Sequence, residues 1–199
     1  MFFDLNISGG SLEDNLTLAF EASRYGWNHI NFSYNQNDFK QAYYNRGIAK
    51  LGLKKYESAI SDFTKELELN PKYDRAYYEI AIAEARLEHY TSAVDNFTKA
   101  IELNPENAEY YAQRGALISR TDGDLEKAKQ DLVRAITLDD KDPEKYLTRA
   151  IIFCKLKMYL PAIDDLNIVI KLDDKNMQAY DLRSYAISSL NSEQQKSVR

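Results

Sequence analysis

The stretch Ala42–Pro71, AYYNRGIAKLGLKKYESAISDFTKELELNP, returns thirty-four residues later as AYYEIAIAEARLEHYTSAVDNFTKAIELNP, Ala76–Pro105. Looser copies run from Tyr110 to Asp140 and from Lys145 to Asp174. A fixed period of this length marks a helical repeat array. Within the first copy, Tyr43, Gly47, Ile48 and Leu51 form one run of apolar or small residues, and Ala59, Ile60, Phe63 and Leu67 form another. Their spacing places each run on one face of a helix rather than on alternate sides of a strand. A short turn such as Gly52–Lys55 separates the runs. The first two copies end at Asn70-Pro71 and Asn104-Pro105, where proline removes a backbone donor and stops the preceding helix. Each copy is therefore predicted to be a hairpin of two helices.

Composition narrows the function classes. Net charge is −5 over 199 residues, with no basic cluster, so no nucleic-acid partner is expected. No apolar run approaches the length of a membrane span. MFFDLNISGG at the start lacks a basic head and a long apolar core, so no secretory leader is expected either. The single Cys154 excludes an internal disulfide and fits a reducing compartment, which makes the cytoplasm the expected location.

The copies resemble the tetratricopeptide repeat. A large residue at the fourth position is met by Tyr43, Tyr77, Tyr111 and Tyr146, and a small one at the eighth by Gly47, Ala81, Gly115 and Ala150. The twentieth position holds Ala59, Ala93, Ala128 and Ala162; the twenty-fourth holds Phe63, Phe97, Leu132 and Leu166. Small residues let helix axes approach closely, and the bulky ones fill the space beside them. The resemblance implies an all-α, right-handed superhelical array of hairpins (an α-solenoid) with repeats at 40–73, 74–107, 108–142 and 143–176. There are departures. Glu66 replaces the small residue at position twenty-seven, the third repeat has one extra residue near Asp122-Gly123-Asp124, and the last two repeats end in Asp140 and Asp174 instead of proline.

Residues 1–39 do not follow the repeat. Ser11 and Asp14 form a helix-start signal, Leu12, Leu16, Ala19 and Phe20 share a face, and Gly26 is a stop. One helix is predicted near 11–25, followed by a connector. At the other end, 177–191 restarts a first helix with no second to follow, which predicts a cap over the last repeat, and 192–199 reads as a disordered tail.

Where the seventh repeat position is arginine the twenty-third is aspartate: Arg46 with Asp62, Arg114 with Asp131, Arg149 with Asp165. Where it is Ile80, the partner position is Asn96. A guanidinium against a packed seam requires a carboxylate, so an ion pair is expected across each of those hairpins. Arg183, with no second helix to meet, has no partner assigned.

No enzymatic constellation emerges. His29 and His89 have no metal-spaced neighbours, Cys154 sits among Ile151, Ile152, Phe153 and Leu156, and the paired carboxylates Asp139-Asp140 and Asp173-Asp174 lie where turns and caps favour aspartate. No catalytic residue, cofactor or metal is expected, and the chain reads as a non-enzymatic scaffold for protein binding. In the family the first helices line an inner groove, which implies Tyr44, Asn45, Ile48, Tyr78, Glu79, Ile82, Arg86, Gln113, Arg120, Leu147, Thr148, Ile151 and Lys155 as groove residues for an extended segment or helix of a partner protein. Relatives that hold chaperone tails use Lys and Asn at the fifth and ninth positions of one repeat, Asn at the sixth of the next, and Lys and Arg at the second and sixth of the third. Read from the first repeat those positions are Tyr44, Ile48, Glu79, Glu109 and Gln113, and from the second Tyr78, Ile82, Gln113, Glu144 and Thr148; neither frame supplies a cation, so that two-carboxylate clamp is absent. The alternative reading is self-association, with Phe2, Phe3, Leu5, Trp27, Ile30, Phe32 and Tyr34 entering the chain's own groove or a neighbour's.

Overall fold

The computed structural model describes residues 5–6, 30–31, 36–121 and 123–197, and it is an all-α helical repeat array. Among the described residues the helices are α1 (Gln36–Gly52), α2 (Tyr56–Leu69), α3 (Asp74–Arg86), α4 (Tyr90–Leu103), α5 (Ala108–Arg120), α6 (Leu125–Leu138), α7 (Pro143–Lys155), α8 (Tyr159–Leu172) and α9 (Met177–Ser197). The expected helix near 11–25 lies outside the described residues. A two-residue strand β1 (Leu5–Asn6) pairs in parallel with β2 (Ile30–Asn31), Leu5 opposite Ile30 and Asn6 opposite Asn31. The sequence, read as a connector there, shows no alternation from which a strand could be predicted.

Local chemistry accounts for the helix limits. Asn107, Asp124 and Asp142 cap α5, α6 and α7, accepting from the backbone N–H of the second helical residue, and Asp124 from that of the third as well. Pro143 then supplies a preset φ in the first turn of α7. The first helices carry an acid at the start and a cation at the end, Asp74 and Arg86, Glu109 and Arg120, Glu144 and Lys155, which complements the helix dipole. The turns inside three hairpins are closed by residues in the left-handed region, Lys54, Glu88 and Lys157, at φ of 57°, 63° and 59°. The third turn, one residue longer, ends with Gly123 donating to the Ile118 carbonyl at 3.1 Å. Differing from expectation, α9 continues to Ser197 instead of ending at 191. Glu193, Gln194 and Gln195 favour helix and no proline or glycine stops it.

The contacts divide the chain into two compact units, Met1–Leu87 and Glu88–Arg199. In the first, α1, α2 and α3 pack in succession around Ala59, Phe63, Ala76 and Ile80, with Tyr44, Leu51 and Tyr73 against them. Glu66, the departure from the small residue of other repeats, is buried in α2. In the second unit, Ala112, Ile118, Ala128, Leu132, Ala135 and Ile152 form one cluster. Tyr146, Ala150, Phe153, Ala162, Leu166 and Val169 form another, closed by Ala179 and Ala186 of α9.

The small eighth residues sit where the helices of a hairpin touch. A Cβ on Gly47 would fall 2.5 Å from Phe63 Cε1, and one on Gly115 would fall 2.9 Å from the Ala128 carbonyl oxygen and 3.1 Å from Asp131 Cβ. Beside each seam lies the expected ion pair. Arg46 donates Nε and Nη2 to the Asp62 carboxylate at 2.8 and 2.7 Å; Arg114 does the same to Asp131, and Arg149 to Asp165. Lys50 adds a second cation to Asp62 at 2.7 Å. Burial raises the Asp62 pKa, but the hydrogen bonds from Arg46 and Lys50 outweigh it and hold the carboxyl below its ordinary value. Asn96, in the repeat that lacks the arginine, instead donates to the Ser92 carbonyl of its own helix.

Arg183 finds a partner the sequence left open: its Nη1 donates to Asn167 Oδ1 at 2.8 Å. Arg114 Nη1 makes the equivalent reach back to Thr98 Oγ1 at 2.9 Å. In both cases an arginine at the seventh position of one repeat grips the twenty-fifth position of the repeat before.

Two predictions follow from these seams. Arg114 and Asp131 are both largely withdrawn from water, with side-chain exposures of 11% and 6%. Arg114→Leu or Asp131→Leu alone should cost about 3 kcal/mol by stranding a charge, and the double change distinctly less than the sum. Urea unfolding of the three variants measures this, and strict additivity would remove the pairing argument. Gly115→Ala, which on an open helix would stabilise by about 1 kcal/mol, should instead destabilise by ~1–3 kcal/mol because the new methyl meets the Leu132 side chain first and the Ala128 carbonyl oxygen beside it, so moving the leucine alone does not relieve the clash.

Candidate functional site

The predicted binding residues lie on the first helices of the repeats, and the two units are taken in turn. In the first, α1 and α3 meet at a few residues, which brings side chains from two repeats near one another. Ile48 is 38% exposed there, Ile82 and Tyr78 are half-buried, and Asn45 and Arg86 are exposed. A concavity of about 470 Å³ opens at the end of this face, lined by Leu51, Gly52, Lys54, Tyr56, Ile82 and Arg86. Ile82 and Arg86 are among the residues the repeat pattern points to. Lys54 and Tyr56 are not, because they belong to the hairpin turn and to the start of α2, which the positional pattern does not count.

Tyr44 has a different surrounding. Its ring packs against Phe63 and Tyr73, with centroids at 5.6 and 5.1 Å, and its hydroxyl donates to Glu79 Oε1 at 3.4 Å. Burial pushes the Tyr44 pKa up, as does the adjacent Glu79 charge. Burial likewise raises that of Glu79, although the Tyr44 hydrogen bond opposes it. The pair forms a polar wall with its hydrogen-bonding groups directed at each other.

In the second unit, α5 and α7 are in contact in the same way. Gln113 is held by Glu109, its amide donating to Oε1 at 2.7 Å. Thr148 and Ile151 are half-buried, and Arg120 and Lys155 are exposed. Lys155 Nζ donates to the Ser119 carbonyl at 2.5 Å, which ties the end of α7 to α5. Leu147 departs from the predicted stripe. At 2% exposed, it belongs to the core cluster that contains Ala179 and Ala186, so the capping helix α9 takes part in covering it.

The remaining chemistry-bearing residues are absorbed by the fold. Asp139 ends α6 and receives Lys145 Nζ at 2.5 Å; that lysine is 4% exposed. The Lys145 hydrogen bond holds the Asp139 carboxyl below its ordinary range. Asp173 ends α8 and accepts from the Lys175 backbone N–H. His89 precedes α4 on the surface. Cys154 is half-buried against the α7–α8–α9 core, and burial pushes its thiol pKa up. Among the described residues, no group of three or more His, Cys, Asp or Glu side chains could hold a metal ion, and no helix is long and apolar enough to cross a membrane.

Two family models, each described as a tetratricopeptide repeat, match residues 44–108 and 96–130. No curated relative matches the sequence. Among solved structures, YrrB, described as a TPR protein with an unusual peptide-binding site, is 20% identical with a TM-score of 0.71, over 88% of this chain and 84% of its own. The MamA protein is 19% identical with a TM-score of 0.69, over 78% and 90%. The first TPR of Spaghetti (RPAP3), bound to the HSP90 peptide SRMEEVD, is 20% identical with a TM-score of 0.57, over 59% of this chain and 93% of its own. At these identities the likeness is one of fold.

A thiol with a raised pKa in a half-covered position has little thiolate at neutral pH. Cys154 should therefore react with iodoacetamide several-fold more slowly in the folded chain than in urea-unfolded chain. Rapid labelling of the folded protein would restore it as a candidate nucleophile.

Proposed function

We propose that this chain, whose residues 44–108 and 96–130 match tetratricopeptide-repeat models, is a non-enzymatic interaction module that holds an extended segment of a partner protein along its first helices. The observation that carries the reading is the concavity beside α1 and α3, where half-buried Leu51 and Ile82 lie with Arg86 and Lys54. An apolar floor with cations at its edge takes an aliphatic or aromatic side chain followed by a carboxylate. In the second unit, Gln113, Thr148 and Arg120 on α5 and α7 present an amide, a hydroxyl and a guanidinium of their own. That two of the similar structures are described as having a peptide site or a bound peptide supports the assignment of class.

The proposed occupant is not a chaperone tail. Tyr44, Ile48, Glu79, Glu109 and Gln113 occupy the positions where a two-carboxylate clamp places its cations and amides, and two of them are acids. No catalytic role is proposed for any residue. A cytoplasmic, scaffold-like setting agrees with the lone thiol and the acidic balance.

Ile82→Ala combined with Arg86→Ala should lower recovery of the partner from native lysate at least tenfold, with the urea midpoint of the array little changed. Undiminished capture by this variant would place binding elsewhere on the chain.

A further inference from the structure

The last helix preserves a socket that no described residue fills. In the first, third and fourth repeats the first helix presents a tyrosine, then an arginine three residues on, then a small residue. The guanidinium carbon stands over the tyrosine ring, 5.5 Å from it for Arg46 over Tyr43, 6.0 Å for Arg114 over Tyr111 and 5.7 Å for Arg149 over Tyr146. Nε and Nη2 of each arginine then grip an aspartate of the second helix. In α9 the same arrangement recurs, with Arg183 5.4 Å from the Tyr180 ring and Ser184 beside it. Arg183 uses Nη1 to reach Asn167, as Arg114 uses Nη1 to reach Thr98, and no carboxylate among the described residues pairs with it.

The apolar floor of the socket is also uncovered. Position eleven of the repeat is Ile118 in α5 and Phe153 in α7, 5% and 9% exposed and clustered with residues of the helices that follow. Its counterpart in α9 is Ile187, 42% exposed, and Ser184 is exposed as well.

We infer that the outer face of α9 is a second docking surface, formed by Tyr180, Arg183, Ser184 and Ile187, for an amphipathic helix of another protein bearing a carboxylate immediately before a bulky apolar residue. The chain itself defines that chemistry three times, as Ala59-x-x-Asp62-Phe63, Ala128-x-x-Asp131-Leu132 and Ala162-x-x-Asp165-Leu166. The alanine permits the close crossing, the aspartate satisfies the guanidinium, and the aromatic or leucine covers the small residue. The surface differs from the first-helix face proposed above, since it uses residues that a second helix would cover.

The probe is a hydrocarbon-stapled helical peptide spanning residues 124–139, which carries the Ala128-x-x-Asp131-Leu132 signature, titrated into the full chain by fluorescence anisotropy. Saturable binding is expected, weakened at least tenfold by Arg183→Ala, by Ser184→Phe, which fills the socket sterically, and by Asp131→Asn in the peptide. Ile82→Ala with Arg86→Ala should leave it unchanged, so failure of the groove reading and failure of this one are distinguishable. Circular dichroism of each variant verifies that α9 remains folded. The inference is overturned if the wild-type chain does not bind the peptide at millimolar concentration. It is equally overturned if Arg183→Ala and Ser184→Phe bind as tightly as wild type, which is the outcome expected if the peptide displaced α6 in its own hairpin. Dimerisation in light scattering that Arg183→Ala abolishes would assign the face to a second copy and overturn the assignment to a foreign helix.

Discussion

The close approach of paired helices at the eighth position is the constraint from which the rest follows. With no side chain at Gly47 or Gly115, and only a methyl at Ala150, the second helix can bring Phe63, Leu132 or Leu166 down onto the first. That contact fixes which face of every first helix is buried and so which face is left over. The candidate binding residues are what remains once the seam has been satisfied, and they recur in sequence because the seam does.

Such proximity has an electrostatic consequence. At the edge of an intimate seam a guanidinium loses water, and a carboxylate from the facing helix restores its hydrogen bonds. The three arginine–aspartate pairs differ in setting: the Arg46 side chain is half in solvent, whereas that of Arg114 is almost fully withdrawn. Asp62 itself is buried, so the half-exposed Arg46 still serves, with Lys50, to keep a withdrawn carboxylate paired. The reach of Arg114 to Thr98 and of Arg183 to Asn167 adds a bond between consecutive repeats, so a single side chain both closes its hairpin and registers it on the one before.

The hairpins, the small-to-large seams and the ion pairs were legible in the sequence because each repeats at a fixed interval, and repetition within one chain substitutes for comparison between chains. Covariation of Arg46, Arg114 and Arg149 with their aspartates, against Ile80 with Asn96, was enough to anticipate an ion pair across each hairpin; its two-point geometry came from the structure. What escaped was whatever depends on a single place. Leu147 follows the periodic stripe but lies in the core closed by the capping helix, which only the last repeat possesses. Lys54 borders the concavity from a turn that the pattern treats as a spacer, and Tyr56 from the first residue of α2. The partner of Arg183 was unreadable because the bond runs backwards to Asn167, against the direction in which the other pairs are read. Continuation of α9 to Ser197 was missed by treating polar composition as a stop, although glutamate and glutamine are compatible with helix.

The hairpin turns carry an implication for how such a chain tolerates change. Lys54, Glu88 and Lys157 accept a conformation that costs an L-residue about 1–2 kcal/mol, and backbone bonds such as Met158 N–H to the Phe153 carbonyl at 2.8 Å stitch the loop shut. The third turn takes in an extra residue and still delivers Asp124 to cap α6, with Ala128 and Leu132 in their usual slots. Length variation is thus absorbed at the loop and never transmitted to the seam. The connection between α5 and α6 is accordingly the natural graft point for an epitope tag or a fluorophore-bearing insertion, a place where the chain can be labelled without disturbing its architecture.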